Sequence, residues 1–268
     1  MRKSFSSLAA ASVLLLGSAL AQSCYVRISE KAQTKIIEDM PLAGSEELGA
    51  KTFSPGAFSG IAVSGSFDVE FIPSEGEPRV ELTTSKNLLE YAYATVRPLG
   101  ETEDSVLRVG FDLPSYSVRE CKAVIYAPSI SSIHKSGSGD LRLKGGLVCD
   151  SLYANFYGSG DFQADSLQAE GEVKVFKSGS GDVSLAGLKA DGVKIVKSGT
   201  GDMELKGLNA GKLELESLGS GSIELSGQVQ DFILNKGGSG RLDAKELVIK
   251  GEYRPSISGT GSVKTSTR

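Results

Sequence analysis

The stretch Val193-Lys194-Ile195-Val196-Lys197-Ser198-Gly199-Thr200-Gly201-Asp202-Met203-Glu204-Leu205-Lys206-Gly207 decides how this chain folds. Val193 and Ile195 fall on one face of an extended segment, Met203 and Leu205 on one face of the next. A Gly-x-Gly turn separates the two. Period-two alternation is the pattern of a half-buried strand. It sends these apolar side chains inward and Lys, Glu and Ser outward. The frame returns at Val173, Val175, Val183 and Leu185, and again at Leu213, Leu215, Ile223 and Leu225.

Seven Gly-Ser/Thr-Gly triplets mark the repeat. They end at Gly139, Gly160, Gly181, Gly201, Gly221, Gly240 and Gly261, at intervals of 21, 21, 20, 20, 19 and 21 residues. A fixed period near 20 predicts a solenoid, in which one coil buries its apolar side only against its neighbours. The expected fold is therefore all-β: a single-stranded parallel β-helix with coils of about 20 residues and irregular N-terminal coils. Seven coils at the inter-strand spacing would stack to roughly 35 Å. The glycines are expected to supply positive φ at sharp corners. The middle Ser or Thr hydroxyls would line up into a ladder.

From Phe53 the first half also reads as β. Ile61-Ala62-Val63, Phe67 to Ile72, Arg79 to Leu82, Val106 to Val109 and Ala123 to Ala127 alternate apolar and polar residues. Ser85 to Tyr93 is the main helical candidate, with Ser85 as its cap. Ser64-Gly65-Ser66-Phe67-Asp68-Val69 matches the repeat motif with Phe67 in place of the second glycine. This shared turn favours one continuous solenoid over a separate β-sandwich.

Met1-Arg2-Lys3, a short apolar run and Ala19-Leu20-Ala21 form the pattern of a secretory signal peptide, residues 1–21. Residues 22–50 read as an N-terminal extension, with disorder as compatible as a short helix or strand; residues 51–268 form the domain. Lipid attachment at Cys24 is the lesser reading, because Gln22 and Ala21 suit it poorly. Cleavage leaves 27 of the 29 basic residues against 33 acidic ones, a net charge of −6. With no basic cluster, the composition argues against nucleic acid and anionic membrane surfaces. An extracytoplasmic location, periplasmic, outer-membrane-associated or secreted, would permit a Cys121–Cys149 disulfide. Cys149 as a small buried apolar residue is the competing reading.

Asp140, Asp161, Asp182 and Asp202 follow four of the triplets. The simple reading is that they bond to nearby turn amides. The sharper one is a calcium ladder that relieves stacked carboxylates. Lys135, Lys177 and Lys197, each five residues earlier, could neutralise the row without metal. His134 is the only histidine, and no Ser/His/Asp set or metal-ligand spacing surrounds it. The turns do not form a phosphate loop, since no helix and no Gly-Lys-Ser/Thr follows. No cofactor and no catalytic constellation is identified. For sugar stacking, tryptophan is absent and Tyr91, Tyr93, Tyr116, Tyr153 and Tyr157 are the candidates.

Ile61 to Val69, Val124-Ile125-Tyr126-Ala127-Pro128 and Ile133 to Asp140 with its successors resemble the head GIN domain family. This bacterial domain of unknown function also carries the label "putative auto-transporter adhesin". The resemblance covers about residues 53–268. It implies a parallel β-helix in a secreted, periplasmic or surface protein, and supplies no catalytic residues. The leading expectation is a noncatalytic envelope or surface protein whose solenoid flank binds a cell-envelope polysaccharide or surface protein. A carbohydrate-active β-helix enzyme would instead need carboxylates converging in a groove, covered by a loop such as Pro73–Pro78 or Pro98–Ser105. A calcium-stabilised surface spacer is the third reading. Self-association through an end coil is open to all three.

Overall fold

The computed structural model describes residues 41–98 and 105–266. Residues 1–21, read above as a signal peptide, Cys24 and most of the 22–50 extension lie outside the described residues. From Leu42 onward the chain is a β-solenoid of about six turns, with no α-helix among the described residues. Each regular coil contributes one strand to each of three faces.

The first face stacks Ser105–Phe111, Gly60–Val63, Ser132–Gly137, Leu152–Gly158, Glu172–Gly179, residues 192–197, 212–217 and 231–236, and Tyr253–Ile257, all parallel. The second stacks Cys121–Ala127, Asp68–Pro73, Leu141–Leu143, Phe162–Ala164, Val183–Ala186, then residues 203–205, 223–224 and 242–244, and Val263–Thr265. The third begins at Leu147–Cys149 and Leu167–Ala169 and continues through residues 188–190, 208–210, 227–229 and 246–249. Equivalent residues lie in register, so inward positions form columns. Ile61, Ile133, Ala154, Val175, Ile195, Leu215 and Leu234 make one such column, all buried. Each large aliphatic in it contributes about 1.5–3 kcal/mol, and the columns supply what a lone coil lacks against its ordering entropy.

The N-terminal coils belong to the same stack, but out of order. The coil of residues 105–127 lies outside that of residues 60–73, and the chain then crosses back to add Ser132–Gly137 on the other side. Antiparallel strands close this end: Ala92–Pro98 against Ser105–Phe111, and Leu48–Phe53 against Arg79–Ser85, which itself pairs with Cys121–Ala127. Strand structure therefore starts ahead of Phe53. The helix expected over Ser85 to Tyr93 is only a 3-10 turn at Lys86–Leu88; Ser85 makes no side-chain cap, and Ala92 already opens the next strand. The Cys121–Cys149 disulfide does not form. Cys121 opens a second-face strand and Cys149 closes a third-face strand, leaving both as buried free thiols. Burial pushes their pKa values up to about 12 and about 11 respectively.

Candidate functional site

The triplet corners between the first and second faces are structural. Backbone there stacks so closely that a Cβ on Gly158 would lie 2.1 Å from the Gly137 oxygen, and one on Gly160 would lie 1.9 Å from the Gly139 oxygen. The same holds up the stack to Gly261. Positive φ occurs at Gly137, Gly158 and Gly179, but at none of the second glycines of the triplets. Close approach, rather than positive φ, is thus the general reason for glycine. Phe67 can replace the second glycine because an aromatic cap, not another triplet, lies beyond it: its ring sits 5.1 Å from that of Phe111, which meets Tyr116 at 4.8 Å. The middle Ser and Thr hydroxyls are exposed. Their amides are what bind the coils, as in Ser159 N donating to Gly137 O at 3.2 Å and Ser180 N to Gly158 O at 3.1 Å.

The Asp row runs along the stack. Asp140 N donates to Asp68 Oδ1, Asp161 N to Asp140 Oδ1, Asp182 N to Asp161 Oδ1, Asp202 N to Asp182 Oδ1 and Ser222 N to Asp202 Oδ1, at 2.7–2.9 Å. Each carboxylate is committed to the amide of the next coil. Among the described residues, no group of three or more His, Cys, Asp or Glu is placed to hold a metal. Lys135, Lys177 and Lys197, expected outside, point inward beneath the corner and are at most 5% exposed, with Lys236 joining them. Their ammonium groups donate to turn carbonyls: Lys177 to Gly158 O at 3.4 Å, Lys197 to Gly199 O at 3.2 Å and Lys236 to Gly238 O at 2.9 Å. Burial holds all four below the usual lysine pKa.

Two other surfaces gather side chains that a ligand could use. A groove of about 670 Å³ runs along the third face. Its floor is Cys149, Ala169, Ala190, Ala210 and Val229, mostly small residues, so little side chain separates it from the axis. One wall carries Gln168, Lys189, Asn209 and Gln228 in register, with Gln228 Nε2 donating to Asn209 Oδ1 at 3.2 Å. The other carries Glu170, Asp191, Gln230 and Lys250. Acids and bases balance, and side-chain amides stand on three of the four coils of the first wall, with Lys189 on the other.

The second surface is on the first face. Tyr153, Asn155 and Tyr157 alternate outward from Leu152–Gly158, with His134 and Phe176 on either side of Asn155 in the adjacent coils. Ring centroids of Tyr153 lie 6.0 Å from His134 and 5.3 Å from Phe176. Burial pushes the His134 pKa down, so its imidazole is neutral at pH 7. Of the five candidate tyrosines, Tyr153 and Tyr157 share this surface. Tyr93 and Tyr116 line a separate cavity with Arg108, and Tyr91 packs against the core. His134 and the groove occupy different faces.

No helix among the described residues is long and apolar enough to cross a membrane. Solved structures share the fold. A putative adhesin from Bacteroides fragilis NCTC 9343 superposes with a TM-score of 0.69 at 20% identity, over 84% of this chain and 99% of its own. For a structure described as a putative lipid binding protein from Parabacteroides distasonis ATCC 8503 the values are 0.66 and 18%, over 84% and 98%. A putative adhesin from the same organism gives 0.62 and 17%, over 84% and 99%. No curated protein matches the sequence. The sequence signature described as "Putative auto-transporter adhesin, head GIN domain" matches residues 57–188 and 174–268. The chain thus belongs to the head GIN domain family.

Proposed function

We propose that this is a noncatalytic, extracytoplasmic binding protein that holds an extended partner, an envelope polysaccharide or a surface protein segment, along its third-face groove. The observation that carries the reading is the groove itself. It crosses coils stacked about 4.8 Å apart, and its four central coils each offer a polar side chain at the same position, Gln168, Lys189, Asn209 and Gln228, as a linear polymer requires. Amides both donate and accept, which suits hydroxyl-rich or peptide ligands alike. The family's adhesin description supports a binding role.

The test is a capture screen of the full chain against purified cell-wall glycans and envelope proteins. The variant Asn209→Arg plus Gln228→Arg fills the groove without touching the core. A ligand held by the wild type and lost by this variant is the expected result. Capture of nothing, or equal capture by both proteins, overturns the reading.

A further inference from the structure

The first-face surface carries an inference that stands whether or not the groove reading holds. Asn155 is the centre of a three-by-three grid of outward side chains. Ser132, His134 and Ser136 lie on one side, Tyr153 and Tyr157 flank it along its own strand, and Lys174, Phe176 and Ser178 lie on the other side. Tyr153 is 41% exposed and Tyr157 is 56% exposed, whereas Asn155 between them is 9% exposed. Four residues of strand place the two tyrosines about 13 Å apart. Among the described residues, the two buried side-chain polar atoms without a hydrogen-bond partner are Asn155 Oδ1 and Ser132 Oγ. Both belong to this grid. A buried acceptor left unpaired is costly, and its place among aromatic rings marks where a ligand's donor would be satisfied.

The charges around the grid indicate which ligand. Lys174 pairs with Glu172 at 2.6 Å, and Lys194 in the next coil pairs with Glu214 at 3.4 Å. His134 carries no charge at neutral pH. An anionic ligand would therefore find the lysines of the grid already engaged, with the exposed Arg108 two coils beyond His134 on the same face. A purely apolar partner would supply no donor to Asn155 Oδ1, which is already buried and unpaired. A neutral sugar avoids both penalties: its C–H faces lie on tyrosine rings, while a hydroxyl or acetamido N–H donates to the amide oxygen. We propose that Tyr153, Asn155 and Tyr157, flanked by His134 and Phe176, form a binding site for a neutral oligosaccharide lying along the strand.

The experiment titrates the full chain with cellotetraose, maltotetraose and chitotetraose by calorimetry. Parallel titrations use Tyr153→Ala, Tyr157→Ala, Asn155→Ala and the groove variant Asn209→Arg plus Gln228→Arg. The expected result is binding of at least one sugar, weakened roughly tenfold by each tyrosine substitution and unchanged in the groove variant. Both tyrosines are exposed, so their variants keep the wild-type Tm, and a loss of binding at unchanged Tm reports the site. Four outcomes overturn the proposal: no neutral sugar binds; binding survives both tyrosine substitutions; an oligogalacturonate binds in preference; or the tyrosine variants instead abolish self-association in sedimentation, which makes the grid a docking face for a second copy. Loss of sugar binding in the groove variant alone refutes this site and leaves the groove reading standing.

Discussion

Replacing Gly181 with alanine tests whether close coil stacking, rather than the turn's own conformation, demands glycine. The added Cβ would sit 2.1 Å from the Gly160 oxygen, against the 3.4 Å of ordinary contact. Relief requires the two coils to part by more than 1 Å. At that separation Ser180 N to Gly158 O, now 3.1 Å, and Asp182 N to Asp161 Oδ1, now 2.8 Å, both pass out of hydrogen-bond range. One is a neutral bond and the other charge-assisted, so the loss is about 2–4.5 kcal/mol. Two controls isolate the cause. Gly76 has φ +103° and nothing within 4 Å of an added Cβ, so Gly76→Ala carries only left-handed strain of about 1–2 kcal/mol. Gly259 repeats the clash, 2.0 Å from the Gly238 oxygen, but in a coil that has a neighbour on one side only among the described residues. Urea unfolding followed by far-UV circular dichroism should rank the midpoints Gly181→Ala lowest, with Gly259→Ala and Gly76→Ala nearer wild type. If Gly259→Ala is as harmful as Gly181→Ala, or Gly181→Ala no worse than Gly76→Ala, the stacking argument is refuted.

Lys197→Met should stabilise the protein at pH 7 by about 1 kcal/mol, read as a raised urea midpoint, because it removes a buried charge at the cost of one bond to Gly199 O. Burial lowers the folded-state pKa beneath the unfolded value of 10.5. Between those two values the unfolded chain holds more protons and wild-type stability rises with pH. The advantage of Lys197→Met should therefore shrink as pH climbs toward 10.5, and an advantage that grows instead would contradict the assignment. Asp161→Ala should cost about 1.5–3 kcal/mol by leaving the Asp182 amide without its carboxylate; Asp161→Asn, which keeps an acceptor oxygen, should cost less. Since the Asp row is satisfied by amides, thermal melts should superpose with and without EDTA, and a Tm lowered by chelator would return the calcium reading to the front.

The regular part of the fold was legible because one period controls several independent features: apolar alternation, paired glycines and the acid that follows them. Ser64 to Val69 carried the same motif, enough to join the early strands to the stack. Their order within it was not legible. It depends on Gly60–Val63 choosing partners far along the chain on both sides, which no local pattern records. The inward lysines were legible but misread. Alternation continues from Val193 and Ile195 to Lys197, so position sets its direction where charge alone points outward. The glycines were assigned to the right turns for an incomplete reason, since φ is a local property and the clash is between coils. For the candidate sites, five tyrosines stood level in the sequence. Only inter-coil register shows that Tyr153 and Tyr157 share a face with His134 and Phe176. Gln168, Lys189, Asn209 and Gln228 recur one coil apart, a usable signal for the groove that polar composition concealed.

The displaced first coils set the order in which this molecule can assemble. Ser64 and Ser136 meet across 72 residues, whereas later coils meet across 19 to 21. Closing the longer loop costs about 1 kcal/mol more in chain entropy, and it brings together strands on both sides of Gly60–Val63. The regular coils, each closed by a short loop, are therefore the cheaper place for folding to start, and the capped end docks onto them at the greater entropic cost. Loss of residues 60–73 should leave the regular coils able to stack but without their cap.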